Sequence, residues 1–459
     1  MHCISIRRGV RLAGIVAILL PSLGDMAFGQ SLGGDDDALL QRVRELEAAQ
    51  VRDRETIAAL SERIEQLRPA DDVWISERRA EDIREIVTDV LVEADTRASL
   101  LAGGADAGWD NGFYLASLDG TFRLNVGGTV QVAFIGNWQE SSPDDDDRYG
   151  FQNRRSTIRL SGHVVDPTWQ YVVQGDFAVS GGGLELLDAF VRKSFDNGLS
   201  VRAGKFRMPF NHEQLVGYNN LLAVERSLIA GAFGVGRSQG VEARWTGDHL
   251  RAFAAVNDGL GSIVGATAPS LAEDTEYAVT GRIDLLLGGA FDDFTDYIPS
   301  TGDEFGVMIG AAVHYQEDEY GTTANEMSIL RWTADVTADL RQVNLMAAVS
   351  GNHTDGDTPA GSLDQIGVVV QAGWRPCEAW QMFGRWEWAD ADGAGSDLNV
   401  ATIGVVRYFN GNGLKWTTDV GYGFDPVSAQ FASTVKGWRE DAPGENGQMV
   451  IRSQLQLVF

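Results

Sequence analysis

Arginine is the residue type in this chain with chemistry to offer. Of 37 basic residues only four are lysines: Lys193, Lys205, Lys415 and Lys436. Arg155, Arg159, Arg192, Arg202 and Arg244 fall in short stretches where polar and apolar residues alternate, and Arg207 and Arg226 lie close by. A guanidinium stays charged wherever it is placed and offers a fixed fork of donors to a carboxylate or phosphate. A row of them on one wall would bind or steer small anions. Catalysis has no comparable support. The six histidines (His2, His163, His212, His249, His314, His353) are scattered, and none lies in an H-E-x-x-H motif or at metal-ligand spacing. The reading is of a non-enzyme with no metal and no cofactor.

The elements that carry these arginines are strands. In Met449–Phe459, Met449, Ile451, Leu455, Leu457 and Phe459 share one parity and Arg452, Gln454 and Gln456 the other. Side chains alternate across a strand, so this segment has one apolar and one polar face. It is about as long as a tilted strand that crosses a bilayer, and a soluble sandwich could use the same pattern. Similar segments lie near 121–137, 152–165, 168–179, 184–195, 198–207, 236–246, 249–257, 275–288, 304–317, 327–340, 342–353, 363–375, 378–390, 396–410, 413–424 and 447–459. That makes about sixteen, the even number a closed antiparallel barrel uses. An apolar content of 44 % suits such a barrel, because only alternate residues meet lipid. Abundant Gly (54) and scarce Pro (11) suit turns and curved sheets. The fold class is an all-β transmembrane barrel preceded by an α-helical coiled coil.

Connections alternate in length. Asp166-Pro167, Asp196–Gly198, Gly247-Asp248, Arg341-Gln342, Pro376-Cys377 and Asn410–Gly413 read as tight turns. The others are longer and acidic, such as Ser141–Asp147 and Ala290–Asp303. Trp138, Trp169, Phe195, Trp245, Trp332, Trp374, Trp380, Trp388, Tyr408 and Trp416 sit near strand ends, where interfacial girdles form.

Three domains follow. Residues 1–29 read as a signal peptide: Arg7, Arg8 and Arg11, a short apolar core, and Ala27-Phe28-Gly29 ahead of Gln30. Cys3 would leave with it. Residues 30–111 form a helical oligomerisation segment. There Leu39, Val43, Leu46, Gln50, Ile57, Leu60, Ile64 and Leu67 mark a heptad seam. Branched residues at one seam position lean towards dimers, Gln50 and Asp53 weaken that lean, and the oligomer number stays open. Residues 112–459 form the barrel. The net charge of −28 argues against nucleic acid. Acidic outer loops suit divalent cations that bridge lipopolysaccharide, in a surface embedded in outer-membrane lipid.

One run is more specific than any pattern. Val201-Arg-Ala-Gly-Lys-Phe-Arg-Met-Pro-Phe210 is followed by Glu225-Arg-Ser227 and by Gly236-Arg-Ser-Gln-Gly240. Together with the basic stretch Arg154–Leu160, it resembles the phosphate-selective porin O and P family over residues 113–459. The resemblance implies a sixteen-stranded homotrimeric porin with the loop after the fifth strand folded into the channel. It also makes the terminal Phe459 an assembly signal. Residues 206–235 are long, fairly apolar and poor in acid, as a functional loop would be; a rim cover or a subunit contact is the other reading. The pore and anion-binding residues are then Arg155, Arg159, Arg192, Arg202, Lys205, Arg207, Arg226 and Arg244. Acidic residues on the same parity are Asp176, Asp188, Glu242, Asp284, Asp335, Asp339, Glu387 and Asp419, which could instead neutralise the wall. The expected function is passive diffusion of small hydrophilic solutes, anions such as phosphate or polyphosphate among them. The family's phosphate-selective members use lysine clusters, which this chain lacks. A general or cation-preferring pore and a structural barrel tethered through its coiled coil are the alternatives.

Overall fold

The computed structural model describes residues 105–110, 112–139, 147–178, 183–260, 277–299, 305–317, 327–356, 362–392, 397–442, 445 and 447–459. The expected signal peptide and heptad seam lie outside the described residues. A hairpin comes first, β1 (Ala105–Trp109) and β2 (Phe113–Ser117). Sixteen strands follow: β3 (Phe122–Trp138), β4 (Arg148–Val164), β5 (Asp166–Asp176), β6 (Glu185–Ser194), β7 (Leu199–Arg207), β8 (Arg237–Thr246), β9 (Leu250–Asn257) and β10 (Tyr277–Gly288). The second half holds β11 (Phe305–Glu317), β12 (Met327–Leu340), β13 (Val343–Gly356), β14 (Leu363–Cys377), β15 (Trp380–Asp390), β16 (Leu398–Asn410), β17 (Leu414–Gly423) and β18 (Met449–Val458). Each strand pairs antiparallel with the next, and β18 returns to pair with β3. The sheet is therefore closed, and the expected sixteen-stranded barrel is what forms.

Period two decides which side chain goes where. Val130, Val132, Ile158, Val173, Val191, Val241 and Ile283 are exposed on the outer face. Thr129, Gln131, Thr157, Asp188, Glu242 and Arg282 alternate with them and are buried. An apolar outside around a polar inside is the arrangement lipid requires. Among the described residues no helix is long and apolar enough to cross a membrane. Trp169, Phe195, Trp245, Trp332, Trp374, Trp380 and Trp416 are exposed, as girdle residues are. Tyr408 departs from that expectation. It is buried and donates its hydroxyl to Gln381 Oε1 at 2.8 Å, because its position shares the inward parity of Val406.

Two features correct the sequence reading. Ala105–Trp109 falls in the stretch assigned to helix yet is a strand, and β2 pairs with Arg123–Val126 of β3, beyond the reach of β18. Five-residue strands of Ala, Asp and Gly carry too little alternation to announce themselves. The connection after β10 was grouped with the long outer loops. It lies at the short-turn end instead, between two strands that place it beside the tight turns. Its short 3₁₀ turn, Phe291–Thr295, folds inward, and Phe294 and Tyr297 become buried.

The end of the chain completes the wall. Gly128 N–H donates to the Phe459 carbonyl at 2.8 Å, and Phe459 N–H donates back at 3.0 Å. A Cβ on Gly128 would stand 2.5 Å from Phe459 Cζ and 2.8 Å from the Thr157 carbonyl oxygen. Overpacking of this kind costs roughly 1–3 kcal/mol. Gly128→Val should therefore lower the temperature at which the folded barrel unfolds in detergent by several degrees, read by heat-dependent gel mobility. An unchanged temperature would show that the closing register does not depend on this contact.

Candidate functional site

The channel is shaped by the segment between β7 and β8. Its base is closed by Met208 N–H donating to the Gly236 carbonyl at 2.8 Å, with Gly236 at φ +77°, a left-handed conformation that suits glycine. Between them run two short helices, α1 (His212–Leu215) and α2 (Leu228–Phe233). Asn211 caps the first and Ser227 the second, each side-chain oxygen accepting a backbone N–H. The apolar residues that made this loop unusual are all inside: Val216, Leu221, Leu222, Leu228, Ile229 and Phe233 are buried. They pack against inward residues of β13 to β18, including Met346, Val369, Phe383, Val400 and Val450. The expected inward-folded loop is therefore present, and one side of the lumen is dry.

Wall side chains hold the loop backbone. Arg282 donates to the Phe210 carbonyl at 2.6 Å, Arg331 to Gly234 at 2.6 Å, Arg385 to Glu225 at 2.8 Å and Lys415 to Leu221 at 2.7 Å. Asp419 accepts from Val224 N–H at 3.0 Å, and Glu387 from Leu228 N–H at 2.5 Å. The segment after β17 adds Lys436, which donates to the Ser227 carbonyl at 2.7 Å.

The firmest clamp is Glu225, which is 2 % exposed. Arg155 binds it through both guanidinium nitrogens, at 3.1 and 2.9 Å, and Arg154 Nε donates to the same carboxylate. Consecutive strand residues normally point to opposite faces. Here a β-bulge at the Gln131–Val132 register shift lets both arginines reach one partner. Burial pushes the Glu225 carboxyl up. The Arg155 and Arg154 charges outweigh burial and hold it below the ordinary carboxylate range.

The eight expected anion-binding residues divide into three groups. Arg155 and Arg202 are neutralised, by Glu225 and by Glu242 at 2.5 Å. Arg207 and Arg226 brace the loop: both donate to the Val216 carbonyl, and Arg226 also donates to the Glu213 carbonyl at 3.0 Å. Arg159 reaches Gln174 Oε1 at 2.9 Å. Arg192, Lys205 and Arg244 have no carboxylate partner among the described residues. Arg159, Arg192 and Arg244 occupy inward positions on β4, β6 and β8. Arg159, but neither Arg192 nor Arg244, lines a cavity of about 670 Å³ together with Arg123, Gln174, Tyr218, Asn219 and Phe459, among others. Lys205 differs. It is buried opposite Ala189 and Gln239, on the parity opposite to Arg202, just after Gly204 at φ +129° interrupts the regular pleat.

On the far side the arginines are matched. Arg282 pairs with Asp335 and Asp284, Arg385 with Glu387, and Arg452 with Asp419. Sequence reasoning missed Arg154, Glu213, Glu225, Arg237 and Arg251. The signal for Arg154 was available: two adjacent strand arginines can share a face only across a bulge. Glu213 gave no signal, because loop residues follow no period, and Glu225 stood out only within the Glu225-Arg-Ser227 run.

A closed barrel narrowed by an inward loop, with a polar lumen and an apolar belt, is an outer-membrane porin, a channel rather than an enzyme. The chain belongs to the family described as phosphate-selective porin O and P, whose profile matches residues 124–420. Among solved structures the fold is similar to a loop L8 deletion mutant of OmpT, an outer-membrane protein of Vibrio cholerae. Identity there is 12 % and the TM-score 0.50, with 74 % of this chain and 100 % of that one covered. It is also similar to an anion-selective porin from Comamonas acidovorans, at 13 % identity and a TM-score of 0.50, with 73 % and 99 % covered. At such identities the likeness bears on the fold alone. No curated protein sequence matches the chain.

Glu225 is the test of the clamp. Removing one partner of a buried ion pair costs about 3–5 kcal/mol, because the charges left behind are uncompensated. Glu225→Gln should free the loop while leaving the wall intact. Open-channel current noise should rise, and trypsin should cut after Arg226. A loop as quiet and as resistant as the native one would refute the clamp.

Proposed function

We propose that the chain is a homotrimeric outer-membrane channel for passive diffusion of small anions, phosphate-like ones among them. The observation that carries this reading is the split between matched and unmatched guanidiniums. Carboxylates neutralise Arg282, Arg385 and Arg452 on the dry side. Arg159, Arg192 and Arg244 have none on the wet side among the described residues. A pore wall with unbalanced charge admits ions of opposite sign, since a partly dehydrated ion feels that field at close quarters. Low-dielectric walls focus it further. Export by residues 1–29, trimerisation through residues 30–111, and acidic loops joined to lipopolysaccharide by divalent cations complete the proposal.

Selectivity is read from the reversal potential in a potassium chloride gradient across a planar bilayer. The native channel should be anion-selective, and Arg192→Gln with Arg244→Gln should lower the anion-to-cation permeability ratio several-fold. Cation preference in the native channel would overturn the reading. Oligomer number is read separately. Native channels should close in three equal steps, and removal of residues 30–104 should leave single-step closures. Single steps in the native protein would refute the trimer.

A further inference from the structure

Beside the constriction lies a second, smaller compartment. It has a volume of about 170 Å³ and lies between the turn-end parts of β6 to β9, helix α1 and the inward-folded turn after β10. Four guanidiniums line it, those of Arg192, Arg202, Arg244 and Arg251, together with the Glu242 carboxylate, Phe253 and Phe291. We propose that this compartment binds a small organic carboxylate with an apolar body, in preference to inorganic phosphate. The proposal rests on the reading of the channel as anion-conducting and narrows it to a ligand class.

Charge calls for an anion. Arg192 stands directly opposite Arg202 in the β6–β7 register, and like charges in that position repel. Glu242 satisfies Arg202 at 2.5 Å, and Asp284 satisfies Arg251 at 2.9 Å. Arg192 and Arg244 are left without a carboxylate among the described residues. An incoming carboxylate would supply the missing charge and accept from the guanidinium fork in its preferred geometry.

The rest of the lining argues for an apolar body. Arg251 lies over the Phe291 ring at 4.5 Å and the Phe253 ring at 5.3 Å. Arg251 occupies one face of each ring, and the ring carbons left to the compartment offer no hydrogen-bond donors. Phosphate carries oxygens on every side, and burying one of them against a phenyl ring leaves it unsatisfied. A carboxylate concentrates its oxygens at one end and leaves the other to rest on the rings. The volume suits a single ring, since a cavity of roughly 150 Å³ holds benzene. His212 provides a second, independent sign. It is 3 % exposed and lines the compartment, and its Nε2 has no hydrogen-bond partner among the described residues. Burial pushes its pKa down to about 4, so at neutral pH the imidazole is uncharged and polar. A ligand polar group would give it the partner it lacks.

Benzoate and inorganic phosphate are the probes, and the full-length protein in detergent is the sample. Isothermal calorimetry should show benzoate binding at least ten-fold tighter than phosphate at pH 7. Phe291→Ala should weaken benzoate at least five-fold and leave phosphate unchanged. Arg192→Gln should weaken both. Equal or tighter phosphate binding, or benzoate affinity indifferent to Phe291→Ala, would overturn the proposal. The two readings fail separately. An anion-selective reversal potential without benzoate preference would sink the ligand class alone. Cation selectivity would sink the channel reading, whatever calorimetry shows.

Discussion

A strand edge inside a bilayer finds no water to bond to, and that constraint governs the whole molecule. The sheet must close, so β18 must meet β3, and the register of that meeting fixes the parity of every strand between them. Closure ends on the Phe459 carbonyl, held by Gly128 N–H. From it follows the inside: once Val130 and Leu457 face lipid, Gln131 and Gln456 must face each other across the lumen wall, where their amides bond at 2.7 Å. The polar channel is thus a by-product of an apolar exterior. Function begins with how that polar interior is then filled.

Filling it raises the same backbone problem again. The segment from Met208 to Gly236 has few ladder partners, and an unsatisfied buried carbonyl or amide costs about 1–3 kcal/mol. Wall side chains solve this one group at a time: Arg282 for Phe210, Lys415 for Leu221, Arg331 for Gly234, Glu387 for Leu228. Charges brought in for this work need neutralising, which explains why Asp335, Glu387 and Asp419 stand where they do. Matched pairs build the constriction. Unmatched guanidiniums are the remainder, and a remainder is what a passing anion can use.

Period two made the wall legible in the sequence. Arg452, Gln454 and Gln456 could be placed inside and Leu455 and Leu457 outside before any coordinate, because one face meets lipid and the other does not. The loop was legible only as an exception, apolar where its counterparts are acidic. Its partners were not, since Glu213 and Glu225 obey no period and their contacts span up to 172 residues, as between Glu213 and Arg385. Parity also misled where the backbone departs from it. The bulge at Arg154 added a lumen charge, and Gly204 set Lys205 on the parity opposite to Arg202; Tyr408, by contrast, keeps the inward parity of Val406 and so is no girdle residue. The turn after β10 looked like an outer loop because length and acidity are poor guides to which end of a barrel a connection occupies.

The chain carries −28 overall, yet its wet lumen is basic. The two do not conflict, because charge acts locally in salt water. Arg192 lies near the turn end of β6, about seven residues and roughly 23 Å of strand from the outer-loop end at Glu185. The Debye length at physiological ionic strength is about 8 Å, so a charge beyond that end of the strand is screened over several such lengths before its field reaches Arg192. Inside, the low-dielectric barrel and the packed loop leave little room for the ions that do the screening. A guanidinium on that inner wall would act on a solute at contact distance. Net charge therefore describes the surface this protein presents to its surroundings, and the unpaired arginines describe its channel.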